Sequence, residues 1–217
     1  MIKKFEKVTG RYIEKIIGQE KLAYAMSDTS DMYDLVEWSP HGGYPGSVIM
    51  FFDFETGKVY QPFEKKRNVL YGIPIYAQGY YYFLQGDYDA KKVTLYRYLP
   101  ETEPEIVTEM HLEEVNLYNL RIVPSPVHVI SQDDTFVCYY PDNISFALKP
   151  EETVELIEDG KVYLEAWAEE GWDEVRQCAS ENYRYYHKVI VKDYLGNTLS
   201  EETGSLFQSQ DGTWWIS

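Results

Sequence analysis

Val48-Ile49-Met50-Phe51-Phe52-Asp53-Phe54-Glu55-Thr56-Gly57-Lys58 is an apolar, aromatic run that ends in a polar turn and restarts as Lys58 to Phe63. Such side chains favour a pleated surface, and Gly57 supplies the positive φ of a tight reversal, so the stretch reads as a β-hairpin. Three further copies follow. Thr94-Leu95-Tyr96-Arg97-Tyr98 turns at Pro100-Glu101-Thr102-Glu103 into Glu105 to Met110, and Ile144-Ser145-Phe146-Ala147-Leu148 turns at Lys149-Pro150-Glu151-Glu152 into Val154 to Glu158. The last, Val189-Ile190-Val191-Lys192-Asp193, turns at Leu195-Gly196-Asn197 into Thr198 to Glu202. Thr56, Thr102, Glu151 and Gly196 mark equivalent turns, and their spacing of about 45 to 49 residues is that of a repeated supersecondary unit. No segment keeps a helical period convincingly.

A second hairpin precedes most copies: Ile16–Tyr24, Ile75–Phe83, Val129–Val137, Leu156–Leu164 and Leu206–Trp215. Asp159-Gly160 and Asp211-Gly212 give the last two strong turn signals. Two hairpins per unit make a four-stranded antiparallel sheet. Asp53-Phe54-Glu55-Thr56-Gly57-Lys58 is similar to the turn between the outer strands of β-propeller blades. Trp38-Ser39-Pro40-His41-Gly42 resembles the WSPDG element of TolB-type repeats, with His41 where that family has Asp. On these motifs the chain resembles the broad class of β-propeller repeat proteins, which implies a fold and little about function.

The expected fold is therefore all-β, a small propeller of five four-stranded blades occupying residues 1–217 as one domain. Residues 206–217 look like an isolated inner hairpin, and Ile2 to Thr9 would close the ring by pairing with it, because open strand edges invite aggregation. Glu152 to Glu158 serves twice in this reading, as an outer strand and as the start of the next inner hairpin. Four blades or a two-sheet sandwich remain alternatives.

Twenty Lys and Arg against 36 Asp and Glu leave a net charge of -16, which repels phosphate backbones and anionic membranes alike. Neither nucleic acid nor a membrane is an expected partner. The N-terminal lysines lack a following apolar run, no stretch is long enough to span a bilayer, and Cys138 and Cys178 make no disulfide framework, so a cytoplasmic protein with reduced thiols is expected. The 21 tyrosines fall largely inside strand-like runs, where flat rings pack across a sheet, although Tyr and Trp also form sugar platforms and protein hot spots.

Catalytic signals are incomplete. His41-Gly42-Gly43 is similar to an esterase oxyanion loop, but no G-x-S-x-G nucleophile elbow accompanies it. The four histidines are scattered singly and no Cys-x-x-Cys occurs, so no metal or other cofactor is expected. Asp87 with Asp89, and Asp133 with Asp134, fall at turns, where Asp bonds its own backbone. A glycosidase would need paired carboxylates facing a central channel, and the inner stretches Leu70 to Ala77 and Leu120 to Ile130 carry none.

Loop length is the informative asymmetry. Gln85 to Lys92 and Pro141 to Asn143 are short links between second and third strands, whereas Ser27 to Ser47 and Ala168 to Tyr183 are long, and in a propeller all four lie on one face. Long loops on a rigid scaffold carry binding. These two hold Tyr33, Trp38, His41, Tyr44, Trp172, Asp173 and Arg176, residue types that anchor partners, or else cap the core. The expected function is a non-catalytic binding or scaffold module that engages a protein through this aromatic face. Carbohydrate binding or processing is the alternative, and an acidic neutraliser of a basic toxin or nuclease a third.

Overall fold

A computed structural model describes residues 2–28 and 31–217. The chain is all-β, with several antiparallel sheets that follow one another in sequence. The first contains β1 (Glu14–Lys15), β2 (Leu22–Met26), β3 (Ile49–Asp53) and β4 (Val59–Tyr60) in that order. One short helix, α1 (Asp34–Trp38), lies in the β2–β3 connection. In the second sheet β5 (Val69–Tyr71) and β6 (Ile75–Ala77) both pair with β7 (Tyr80–Asp87), as one strand broken at Gly72-Ile73-Pro74, followed by β8 (Lys92–Tyr98) and β9 (Glu105–His111).

The third sheet is β10 (Arg121–Val123), β11 (His128–Gln132), β12 (Thr135–Tyr140) and β13 (Ile144–Ala147). The fourth is β14 (Glu152–Glu158), β15 (Lys161–Asp173), β16 (Cys178–Asp193) and β17 (Thr198–Thr203), and β18 (Leu206–Gln208) with β19 (Trp214–Ile216) closes the chain as a separate hairpin.

Period-two alternation decides how the sheets meet. Ile49 and Phe51 of β3 pack with Val69, Tyr71 and Phe83 of the second sheet, while Met50 and Phe52 point to the opposite face. Leu70 and Leu84, offset by one residue from Tyr71 and Phe83, pack with Leu120, Ile122 and Val129 of the third sheet. Ile130, next to Val129, joins Phe136, Cys138 and Phe146 against Val154, Leu164 and Ile190 of the fourth. The inner strands of the second and third sheets, β5, β7, β10 and β11, are thus buried on both faces, which is why they read as nearly continuous apolar runs. A two-sheet sandwich is not formed.

Two local expectations are corrected. Ile144–Leu148 does not form a hairpin with Val154–Glu158: β13 pairs with β12, and β14 pairs with β15, so the doubly assigned segment belongs to the fourth sheet. The reason is burial, since Val154 and Ile157 fill the joint between the third and fourth sheets. Nor do Ile2 to Thr9 pair with the C-terminal hairpin, which has two strands instead of four. Phe5 covers the far face of the first sheet, its ring 5.1 Å edge-on to Phe52, and Glu6 N–H donates to the Gly57 carbonyl at 2.9 Å. An apolar face open to water is covered by the nearest apolar side chain that reaches it.

The C-terminal hairpin touches both ends of the series. Ser205 Oγ and Leu206 N–H donate to Glu165 of β15 at 2.8 and 2.7 Å. At its turn, the Gln210 carbonyl accepts from Gly18 N–H at 3.0 Å, and Gln210 Nε2 donates to the carbonyls of Ile16 and Gln19 beside β1 and β2. Among the described residues no helix is long and apolar enough to cross a membrane.

Candidate binding surface

The Ser27 to Ser47 connection is fastened down. Ser27 N–H donates to the Val48 carbonyl at 3.0 Å and Ser47 N–H to the Val69 carbonyl at 2.8 Å. Asn68, at φ 57, accepts from Tyr44 N–H through its side chain at 2.7 Å and donates its own N–H back to the Tyr44 carbonyl. Met32 and Leu35 are buried over Gly86, where a Cβ would stand 3.1 Å from Met32 Sδ. Most of this loop's apolar payload therefore faces inward.

The candidate residues divide accordingly. Tyr44 is buried at 5% exposure, and burial together with the Asp28 carboxylate holds its phenol well above the ordinary tyrosine range. Trp38 is half-buried with its ring 4.9 Å from that of Tyr44. Tyr33 is exposed and edge-on to Tyr118 at 6.2 Å. His41 is exposed, and the glycines after it do not form an anion cradle, because the Gly42 carbonyl accepts from Arg67 and the guanidinium lies against Gly43.

Trp172, Asp173 and Arg176 lie in a different setting from the expected one. Ala168 to Tyr183 is not a long loop: β15 and β16 run on as a two-stranded ribbon past the last partners of β14 (with Ala166) and β17 (with Lys188), and only residues 174–177 connect them. Cross-strand pairs hold it together. Asp173 Oδ1 accepts from the N–H groups of Val175 and Arg176, so this carboxylate builds the turn, and Arg176 is exposed.

The ribbon has two unlike faces. On the inner face Glu170 accepts from the Tyr186 hydroxyl at 2.6 Å and from Arg184 Nε at 2.8 Å, with the guanidinium 4.9 Å from the Tyr186 ring centroid. Those two bonds, the phenol's first, hold the Glu170 carboxyl below its usual range. The outer face carries Trp167, Tyr185 and Tyr183, followed beyond the Gly171 irregularity by Trp172. Trp167 and Tyr185 lie nearly parallel at 6.3 Å and 16°, Trp172 meets Tyr183 at 6.3 Å, and the Tyr183 hydroxyl donates to Glu169 at 2.8 Å. These four rings are 39 to 55% exposed. The strip ends near the C-terminal hairpin, where Phe207 and Trp215 form an exposed cross-strand pair.

Of these surface rings only Trp172 is among the residues expected from the sequence; Trp167, Tyr183, Tyr185, Phe207 and Trp215 are not. The signal was there: Glu165, Trp167 and Glu169 on one strand, and Tyr183, Tyr185 and His187 on the other, alternate with period two and leave both faces polar or aromatic.

A second polar group sits lower on the fourth sheet. Glu165 Oε1 lies 2.7 Å from His187 Nδ1. Glu155 of β14 faces Arg121 of β10, and burial raises the Glu155 carboxyl and lowers the guanidinium. The Arg121 guanidinium is engaged by the Val154 carbonyl and Gln132 Oε1, so the group ties the third sheet to the fourth. Among the described residues no three His, Cys, Asp or Glu side chains gather as a metal site requires. Comparison of the sequence with protein-family models, with curated proteins and with solved structures finds no match.

Proposed function

We propose that the protein is a non-catalytic binding module that engages a protein partner through the outer face of the β15–β16 ribbon. The observation that carries this reading is the strip of half-exposed rings of Trp167, Tyr185, Tyr183 and Trp172 on a projecting two-stranded element. Four clustered aromatics at the surface are the composition of an interface core, and the ribbon's cross-strand pairs hold them in place before binding. The scaffold behind it is read as a small propeller-like ring whose fifth position is taken by the C-terminal hairpin. Supporting this are the face-to-face order of consecutive sheets and the hairpin's bonds to both Glu165 and Gly18. Two free cysteines fit a protein of the reducing cytoplasm.

The test replaces Trp167 and Tyr185 together with serine. A protein partner retained by the wild-type chain is expected to be lost, while the folding free energy falls by only about 1–2 kcal/mol, since both rings are half-exposed and cover little core. Unchanged capture of that partner rejects the surface. The near-parallel Trp167 and Tyr185 rings also have the form of a sugar platform. A glycan array whose hits disappear in the same variant, with no protein captured, would favour carbohydrate recognition instead.

A further inference from the structure

The two faces of the ribbon carry the same chemical set with one member different. On the inner face a carboxylate (Glu170), a phenol (Tyr186) and a guanidinium (Arg184) close on one another, and Lys188 Nζ lies 5.9 Å from the same ring. The ring presents its negative face to the cation while the carboxylate supplies the counter-charge, and each strengthens the other. On the outer face Glu169 and Tyr183 repeat the carboxylate–phenol pair, and Trp167, Tyr185 and Trp172 add three more rings. Among the described residues no Lys or Arg lies over any of these rings or pairs with Glu169. His187 Nδ1 lies 2.7 Å from Glu165, and its ring meets Tyr185 edge-on at 5.4 Å and 85°.

Resting on the protein-binding role proposed above, we infer that the outer face takes an extended, arginine-bearing segment of a partner protein, whose guanidinium groups complete the set that Arg184 completes on the inner face. Arginine fits better than lysine because its flat guanidinium stacks on a ring and forks onto a carboxylate in one pose. Side chains two apart on an extended strand are about 7 Å apart, which is also the spacing from Trp167 to Glu169, so arginines at alternate positions would meet ring and carboxylate in register. The net charge of -16 draws a basic segment toward the molecule and repels an acidic one.

The test uses four synthetic peptides of alternating sequence: Arg-Thr, Lys-Thr, citrulline-Thr and Glu-Thr repeats of equal length. Each is titrated into the full chain, with amide and indole NMR shifts as the readout. The Arg-Thr peptide is expected to bind with a Kd between about 10 µM and 1 mM, shifting the Trp167 and Trp172 indoles. Citrulline keeps the shape and removes the charge, and should bind at least about tenfold more weakly. Glu169→Gln keeps an acceptor for the Tyr183 hydroxyl, removes the charge, and should weaken Arg-Thr binding about threefold or more.

Equal binding of the citrulline peptide on this face overturns the inference and leaves the protein-binding role standing. Arg-Thr shifts spread over the acidic surface and unaffected by Glu169→Gln, or no binding at about 1 mM, also overturn it. A glycan that shifts the same indoles when no peptide does would remove the protein-binding role as well.

Discussion

Lys192 and Glu152 are both nearly sealed from water, with side chains 7 and 2% exposed and Nζ 2.6 Å from Oε2. The lysine also lies 5.4 Å from the Phe146 ring centroid, so the pair joins β14 and β16 and reaches the third sheet. Desolvation makes such a pair a weak net contributor when intact, yet removing one partner strands the other's charge in the interior. Glu152→Ala should therefore cost about 3–5 kcal/mol in urea unfolding, and the double change Glu152→Leu with Lys192→Met distinctly less. A Glu152→Ala penalty no larger than that of breaking the exposed Lys58–Glu101 pair would refute the assignment. The pair also bears on why Glu152–Glu158 reads two ways: its alternation suits either neighbour, and the burial of Val154 and Ile157 together with the buried cation on β16, distant in sequence, selects one.

His128, 1% exposed with Nδ1 2.6 Å from the Pro126 carbonyl, gives the residue scale a pH signature. Burial holds its pKa below the ordinary value, so the unfolded chain takes up a proton near pH 6.5 that the folded chain refuses. Its contribution is present in full above about pH 6.5 and is lost as pH falls toward the folded value. Stability measured between pH 7 and 5 should decline less steeply in His128→Gln than in the wild-type chain, and parallel slopes would exclude the effect.

Strand identity is legible where at least one face is buried, as in Ile49–Asp53 with both, and much less so in the ribbon, where neither face is. Ala168 to Tyr183 contains Gly171, Asp173 and four glutamates, the composition of a loop. What makes it a ribbon is cross-strand chemistry, the Glu170–Arg184 pair and the Tyr183–Glu169 bond, which depends on register and not on composition. Gly171 sets that register: it sits at φ +77, and a Cβ there would stand 2.7 Å from the Asn182 backbone. Gly171→Ala should displace residues 179–183 and abolish the Trp172–Tyr183 contact, seen as lost cross-strand ring contacts in NMR. The folding free energy should fall by only about 1 kcal/mol, because the ribbon's outer half covers little core. A large loss of global stability would show instead that the ribbon is part of the cooperative fold.

At the scale of the molecule, the repeated hairpins made a series of four-stranded sheets readable, but how the series ends was not. Residues 206–217 suggest by their pattern a strand partner at the N-terminus, whereas Phe5 and Glu6 are used on the first sheet and the hairpin is held by bonds at its two ends. Those bonds are few and specific, with Glu165 receiving Ser205 and Leu206, and Gln210 capping the carbonyls of Ile16 and Gln19. If the hairpin couples the fourth sheet to the first, removing it must loosen both while sparing what lies between. Truncation after Gly204 should speed amide exchange in β1–β2 and β15–β16 together and leave β10–β13 nearly unchanged. Gln210→Ala should act on β1–β2 alone, at about 1–2 kcal/mol. A truncated chain in which only β15 and β16 respond would mean that the hairpin is an appendage of the fourth sheet, and the ring proposed for the scaffold would have no link at that point.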